Sequence, residues 1–119
     1  MVNYVILSIS ILLAVAGQLL MKKGMLEFGS FPLNQLLVKL FPIFFNPYVF
    51  MGLFFFGLSS IFWLVVISRL QLSLVYPMVS VAYVLVAFAS IIFFKEHVGL
   101  LRWLGITVIV FGVILISRS

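Results

Sequence analysis

Long apolar stretches alternate with short polar segments along the chain. The apolar stretches cover about residues 3–21, 47–68, 73–94 and 100–116. A run of about 20 apolar residues is long enough to cross the hydrocarbon core of a bilayer as a helix. The pattern therefore predicts an all-α integral membrane protein, in which residues 1–119 form a single domain of four transmembrane helices.

The second and third predicted spans are joined by a short connection. The second span begins at Asn46-Pro47, where asparagine is a good N-cap and proline is favoured at the first helical position. Only residues 69–72 separate its end from the third span. These two helices are therefore expected to be antiparallel neighbours.

The connection between the first and second spans, residues 24–46, is longer and has its own apolar pattern. Apolar residues recur there at helical spacing, at Leu33, Leu36, Leu37, Leu40, Phe41 and Phe44. Asn34, Gln35 and Lys39 lie off that face. The spacing predicts a short interfacial amphipathic helix in the headgroup region, broken near Pro42. An apolar loop packed on the bundle is the alternative.

Composition and charge support a membrane protein. Of the 119 residues, 66% are hydrophobic and 8% are charged, so a soluble domain of this size would expose much apolar surface to water. The net charge is +5, but the basic residues lie at the ends of the apolar stretches. That placement indicates membrane topology and argues against a nucleic-acid partner. The absence of cysteine excludes a disulfide framework and thiolate chemistry.

The distribution of lysine and arginine predicts the orientation in the membrane. Basic residues in and around the first and third connections are Lys22, Lys23, Lys39, Lys95 and Arg102. The opposite side carries only Arg69 and Arg118. By the positive-inside rule, both termini are expected outside the cytoplasm.

Polar side chains recur along one face of the third predicted span. They are spaced by three or four residues, at Ser73, Tyr76, Ser80 and Tyr83. Polar side chains within a membrane usually face the bundle interior or a water-filled cavity. We therefore predict that Tyr76, Ser80 and Tyr83 line a substrate groove, with hydrogen bonds between helices as the alternative. Pro77 on the same helix predicts a kink.

The remaining candidate substrate-binding residues belong to the first two spans. Gln18 lies within the first span and is expected either to contact substrate or to hydrogen-bond to another helix. Lys22 and Lys23 end that span, and they either bind substrate or extend to the headgroups. The second span contributes Ser59, Ser60 and Trp63, which either shape a cavity wall or pack against other helices.

The fourth predicted span has small residues along one face. Gly105, Ile109 and Gly112 follow each other at helical spacing. Small residues allow two helix backbones to approach closely. This face is therefore predicted to be a dimer interface or a helix-packing surface within the chain.

The sequence lacks the usual marks of an enzyme. It has no phosphate-binding glycine loop, and its one histidine, His97, lies in the short "KEHVG" connection. Glu27 and Glu96 also lie in connections, where they form neither a metal-ligand cluster nor an acid–base pair in sequence. We therefore expect no enzymatic activity, no metal and no cofactor.

The motifs resemble those of a known superfamily of transporters. "LSLVYPMVSVAYVLVAFASIIFFKE" followed by "RWLGITVIVFGVILI" is similar to the C-terminal half of small four-helix members of the drug/metabolite transporter superfamily, the EamA and small multidrug resistance-like proteins. "GQLLMKKG" and "GLSSIFWLVVISRLQLS" extend the resemblance over nearly the whole chain. Two branches compete: the small multidrug resistance exporters and the aminoarabinose–phosphoundecaprenol flippase subunits.

The stretch "AVAGQLLMK" favours the flippase branch. Small multidrug resistance proteins carry a membrane glutamate three residues before the glycine of a "G-x-x-L-M-K" stretch, and that position here is Ala14. Alanine can hold neither a proton nor a cationic drug. The "AGQ" sequence resembles the flippase subunits instead, although the first connection is longer than in either branch. A multidrug or metabolite exporter without the usual glutamate remains the alternative.

The resemblance implies a function and partners. It implies a multi-pass protein of the bacterial inner (cytoplasmic) membrane that translocates an undecaprenyl-phosphate-type sugar. Membrane lipid and the polyprenyl-phosphate sugar would be its ligands, and a related small subunit or a second copy would complete a hetero- or homodimer. Gln18 would then hydrogen-bond the sugar, and Lys22 and Lys23 would attract the phosphate.

The charge bias predicts one fixed orientation, which cysteine labelling can test. Because the chain has no cysteine, a single cysteine introduced into the first connection or into the turn at residues 69–72 is the only target for a membrane-impermeant maleimide. We expect labelling from outside the cell only at the turn, since the first connection should be cytoplasmic. Equal labelling of the two positions would contradict a fixed topology.

Overall fold

The computed structural model describes residues 2–119, so Met1 of the predicted domain lies outside the described residues. Its elements are α1 (Val2–Phe28), a 3₁₀ turn (Leu33–Gln35), α2 (Leu36–Phe45), α3 (Pro47–Arg69), α4 (Leu72–Met78), α5 (Ser80–Phe94) and α6 (Leu100–Ser117). Within this part of the chain, four helical stretches are long and apolar enough to cross a membrane: α1, α3, α4 with α5, and α6. The predicted all-α membrane fold is confirmed, and the chain is a multi-pass membrane protein.

The helix α1 continues beyond the predicted end of the first span at residue 21. Residues 22–28 include Lys22, Lys23, Met25, Leu26 and Glu27, which are good helix formers. The helix ends at Gly29, whose φ of 65° is the left-handed conformation typical of a C-terminal glycine. Lys22 and Lys23 therefore lie within the helix, in a part that extends past the predicted apolar span.

The predicted cap at Asn46 is confirmed and also joins two helices. The Oδ1 atom of Asn46 accepts hydrogen bonds from the backbone N–H groups of Tyr48 at 3.0 Å and Val49 at 3.2 Å. Its Nδ2 atom donates to Oε2 of Glu27 at 2.6 Å. Asn46 is buried, and its one amide accepts hydrogen bonds from backbone N–H groups in the first turn of α3 and connects this turn to the last turn of α1.

Small residues set the contact between α1 and α3, the most extensive helix pair in the fold. A Cβ atom added to Gly17 would lie 2.7 Å from the carbonyl oxygen of Gly52, and one added to Gly52 would lie 2.6 Å from that of Gly17. At one end of the same contact the hydroxyl of Ser10 donates to the carbonyl of Ser59 at 2.9 Å. We call this contact the glycine seam. It allows the two antiparallel backbones to approach more closely than any larger side chain would permit.

The segment between α1 and α3 forms a helix, as predicted, but the predicted break at Pro42 is wrong. Helix α2 runs without interruption from Leu36 to Phe45 and includes Pro42. Proline removes one hydrogen bond, the one that the carbonyl of Val38 would accept. Val38 is exposed, and an exposed helix can lose one backbone hydrogen bond at a smaller cost than a buried one. The alternative of an apolar loop is excluded.

The third span is interrupted where Pro77 predicts a kink. Helix α4 ends at Met78, Val79 forms a turn, and α5 begins at Ser80. The hydroxyl of Ser80 donates to the carbonyl of Pro77 at 2.5 Å, across this interruption. Helix α4 is anchored in the core, where Val75 is fully buried against Leu7 and Val66.

Helix α6 packs against α4 and α5, but not through its glycines. The ring of Trp103 contacts that of Phe88, with centroids 5.4 Å apart. Among residues 2–119, no atom of another helix lies within 4 Å of a Cβ atom added to Gly105 or Gly112. The expectation that these two glycines pack against another helix of the same chain is therefore wrong, because that face of α6 is open. Their role in a dimer stays a prediction.

The glycine seam predicts a specific sensitivity to a single methyl group. Gly17→Ala places a Cβ atom against the backbone of α3, so the helices must separate, and overpacking of this kind costs about 1–3 kcal/mol. We expect a lower melting temperature for the detergent-purified protein. Gly57→Ala on α3 is the matched control, because open space surrounds Gly57. Equal melting temperatures for the two variants would contradict the seam.

Candidate functional site

Two adjoining cavities lie between the helices and together form what we call the groove. The larger has a volume of about 630 Å³ and the smaller about 310 Å³. Their walls share Ala14, Phe56, Val79, Ala82 and Tyr83. These residues come from α1, α3, α5 and the turn before α5, so the two cavities lie side by side between these helices.

The two ends of the groove differ in chemistry. The smaller cavity adds hydroxyl and aromatic side chains, from Ser10, Ser59, Ser60, Trp63 and Tyr76. The larger cavity adds Gln18, Ser90 and two charged residues, Glu96 and Arg102. In the antiparallel bundle, the C-terminal ends of α1 and α5 meet the N-terminal ends of α3 and α6. The larger cavity therefore opens at the end of the bundle that carries most of the basic residues, which we call the basic end.

Most of the predicted substrate-binding residues lie in the groove. Its lining includes Gln18, Ser59, Ser60, Trp63, Tyr76 and Tyr83. Gln18 is adjacent in sequence to Gly17 of the glycine seam, but it is exposed and faces the larger cavity. Tyr76 and Tyr83 are 64% and 61% exposed, so much of each residue is accessible. The substrate-binding role of these residues stays a prediction.

The aromatic and hydroxyl side chains of the smaller cavity have defined partners. The rings of Trp63 and Tyr76 meet edge to face, with centroids 6.3 Å apart. The hydroxyls of Ser59 and Ser60 both donate to the carbonyl of Phe56, at 2.6 and 3.1 Å. A serine hydroxyl that donates to its own helix keeps its oxygen free to accept a hydrogen bond. Ser60, which is exposed, can therefore accept one from a sugar hydroxyl.

Three of the predicted residues lie outside the groove lining: Ser80, Lys22 and Lys23. The hydroxyl of Ser80 donates to the carbonyl of Pro77. The ammonium of Lys23 lies 4.6 Å from the centroid of the Tyr48 ring, a cation–π contact at the basic end. Lys22 is exposed on the same part of α1. The two lysines are thus placed to attract an anion to the basic end without forming the wall of the cavity.

Sequence reasoning missed the two charged residues of the larger cavity, Glu96 and Arg102. The backbone of Glu96 is held at the end of α5, where Lys95 adopts a left-handed φ of 55° and the N–H of Glu96 donates to the carbonyl of Ser90 at 3.3 Å. Arg102 lies in the first turn of α6, where the helix dipole is already positive. The available signal was that Glu96 and Arg102 lie at the two ends of one short connection between helices, where their side chains can reach the same cavity.

Known relatives cover most of the chain. A protein of Serratia proteamaculans (strain 568) named "Probable 4-amino-4-deoxy-L-arabinose-phosphoundecaprenol flippase subunit ArnF" is 37% identical over 114 residues, which cover 92% of this chain and 88% of the relative. A protein of Aeromonas salmonicida (strain A449) named as a probable ArnE subunit of the same flippase is 32% identical over 106 residues, 89% of each chain. A third, from Yersinia pseudotuberculosis (strain IP 31758), also named as a probable ArnE subunit, is 43% identical over 61 residues, 51% of this chain.

No protein-family model matches the chain. No solved structure matches it either. The first two relatives nevertheless extend along nearly the whole sequence at more than 30% identity. The resemblance to the flippase branch is confirmed, and the chain belongs to the family of 4-amino-4-deoxy-L-arabinose-phosphoundecaprenol flippase subunits.

Proposed function

We propose that the protein is one subunit of a flippase that moves a polyprenyl-phosphate-linked sugar from the cytoplasmic to the outer leaflet of the bacterial inner membrane. The observation that carries this proposal is the groove, whose polar lining extends from Glu96 and Arg102 at the basic end to Trp63 and Tyr76. A lipid-linked head group needs a polar path of this kind, because its tail stays in the bilayer while its sugar and phosphate cross.

The size and lining of the groove suit such a head group. Ligand cavities usually measure about 300–1,000 Å³, and the two cavities of about 630 and 310 Å³ lie within this range. Gln18 offers an amide donor and acceptor to sugar hydroxyls, and Ser60 and Tyr83 offer hydroxyl groups. The rings of Trp63 and Tyr76 provide an apolar surface for the face of a sugar ring. These contacts suit a neutral polar group better than a bulky cationic drug.

Lys22 and Lys23 support the first step of the proposed transport. They lie at the basic end, which the charge bias predicts to be cytoplasmic, and outside the groove lining. A lysine near the membrane surface attracts anionic lipid head groups. We infer that this pair raises the local concentration of the lipid phosphate before the head group enters the groove. Helix α2, with its exposed apolar side chains, lies in the connection between α1 and α3 and is proposed to rest in the interface.

A second subunit is part of the proposal. The relatives carry the names of two different subunits, ArnE and ArnF, and both are similar to this chain. The face of α6 that carries Gly105, Ile109 and Gly112 is open at its two glycines, and it is the surface on which we expect a related chain to pack. A fixed orientation of this chain in the membrane makes a heterodimer with an oppositely oriented partner more favourable than an antiparallel homodimer.

The proposal also sets this protein apart from enzymes and from proton-coupled exporters. The relatives are named as transporter subunits. Ala14, which stands where an exporter of this superfamily would carry its glutamate, lies in the lining of both cavities. A methyl group at this point exchanges no proton for a drug, so binding in the middle of the groove depends on hydrogen bonds.

Native mass spectrometry of the purified protein tests the ligand and the role of Gln18. We expect retention of an undecaprenyl-phosphate sugar, and about 2- to 10-fold weaker binding for Gln18→Ala, which is the effect of losing one hydrogen bond of about 0.5–1.5 kcal/mol. Gln71→Ala, in the exposed connection between α3 and α4, is the matched control and should bind like the unchanged protein. Retention of quaternary-ammonium drugs without the lipid-linked sugar would instead support an exporter.

The lysine pair should act through long-range attraction. In liposomes of low ionic strength, the double variant Lys22→Ala, Lys23→Ala should slow head-group translocation at limiting substrate by about fivefold per lysine removed. Added salt should reduce the difference, because it screens exposed charges.

Arg69→Ala with Arg118→Ala is the control for the lysine pair, since it removes the same charge from the opposite end of the bundle. Equal slowing in the two double variants would show that total charge matters and that recruitment at the basic end does not.

A further inference from the structure

The uncharged part of α6 is short compared with the other membrane-spanning helices. Arg102 lies in the first turn of α6 and Arg118 follows its last residue, so the uncharged stretch covers only residues 103–117. At the helical rise per residue, this stretch measures about 22 Å. The uncharged stretches of α3 (47–68) and of α4 with α5 (72–94) measure about 33 Å and about 34 Å. A hydrocarbon core of about 30 Å is therefore covered by these helices but not by α6.

The packing of α6 on α5 shows at which end the length is missing. The ring of Trp103, the residue after Arg102, contacts the ring of Phe88 with centroids 5.4 Å apart. Helical side chains lean toward the N-terminus of their own helix, so in this antiparallel pair the Trp103 ring leans toward the basic end and the Phe88 ring leans away from it. The backbone of Trp103 therefore lies at about the level of Phe88 or deeper. Residues 89–94 continue α5 beyond this level by about 9 Å.

At the opposite end of the bundle, the same helices finish nearly level. From Phe88 back to Leu72, α5 and α4 cover about 24 Å, and from Trp103 to Ser117, α6 covers about 21 Å. Helices α4 and α6 pack against each other in this part of the bundle. The difference of about 3 Å is less than one helical turn. The shortfall of α6 is therefore concentrated at the basic end.

A hollow lies at the start of α6, where the helix falls short. It has a volume of about 450 Å³ and is lined by His97, Gly99, Leu101 and Arg102. Arg102 also borders the larger cavity of the groove, together with Ser90 of α5. The hollow and the groove therefore share a charged wall residue, at a level beyond which α5 still continues toward the basic end.

We propose that α6 indents the bilayer at the basic end, so that the phospholipid head groups beside it lie deeper than those beside α3 and α5 by up to about 9 Å. A span shorter than the hydrocarbon thickness is accommodated by local thinning of the bilayer. A charged side chain within the hydrocarbon is costly, and thinning and water around it reduce that cost. Phosphate groups of the surrounding phospholipids then occupy the hollow, next to the guanidinium of Arg102.

The indentation brings the polar surface of the membrane to the opening of the larger cavity. Arg102 is the point at which the two meet, because it borders both the hollow and this cavity. A lipid head group that moves from the leaflet into the groove then crosses less hydrocarbon. This consequence rests on the proposed flippase function, whereas the indentation itself depends only on the length and packing of α6.

Spin labels at two lipid-facing positions test the indentation. The chain has no cysteine, so Leu104→Cys on α6 and Phe54→Cys on α3 each provide a single labelling site, and these two residues are 55% and 56% exposed. The full chain is reconstituted in dioleoylphosphatidylcholine, and EPR power saturation with oxygen and a nickel chelate gives the depth of each label. We expect the label at position 104 to be shallower than that at position 54 by at least about 5 Å.

In the thinner dimyristoleoylphosphatidylcholine bilayer the difference between the two labels should shrink, because the whole membrane then approaches the length of α6. Equal depths of the two labels in the thicker bilayer would refute the indentation, since a flat surface places both positions about 10 Å below it.

Two further variants test the role of Arg102. In the Leu104→Cys background, Arg102→Leu extends the uncharged stretch to residues 100–117, and the label should move deeper by about 4 Å. Lys95→Gln is the matched control, because it removes one positive charge at the same end and leaves α6 unchanged. A label that stays shallow after Arg102→Leu, or that moves equally in both variants, would overturn the inference. These measurements contain no lipid-linked sugar, so that outcome would leave the flippase proposal standing.

Discussion

The close backbone contact between Gly17 and Gly52 is the constraint on which the rest of the structure depends. Lipid chains are as apolar as the side chains they cover, so little hydrophobic gain is available from bringing two helices together in a membrane. Close packing and hydrogen bonds have to do this instead, and α1 and α3 combine both along the seam, with Ser10 bonded to Ser59. The buried Asn46 then closes the far end of the pair through Glu27.

Helices α1 and α3 pack closely on one side of the bundle, and the helices on the other side pack less closely. Helices α4, α5 and α6 make fewer contacts with the rest of the bundle, and the groove lies where they face α1 and α3. Val79, the turn residue between α4 and α5, contributes to the walls of both cavities. The interruption of the third span therefore lies where the linings of the two cavities overlap, and it separates α5 from the buried Val75 on α4.

The sequence predicts the local features well and the contacts between helices less well. The four long helices and the cap at Asn46 follow from apolar length and from backbone hydrogen bonding, which act over a few residues. The small residues of α6 led to a wrong prediction of packing within the chain. Several helices carry small residues along one face, and only the tertiary structure decides which of these faces packs against another helix. The seam itself had a regular signature, with Ser10, Gly17 and Gly24 seven residues apart. Glu96 and Arg102 could not be assigned to the groove, since their position depends on how α5 and α6 pack.

The opposite charges of Glu96 and Arg102 have an energetic consequence for transport. A head group whose own charges match this pair carries no net charge across the bilayer. A transmembrane potential of 100 mV does about 2.3 kcal/mol of work on one elementary charge and none on such a neutral cargo. For such a head group the electric field would neither drive nor oppose the passage, and the direction of flow would follow the concentration of the lipid on the two faces of the membrane.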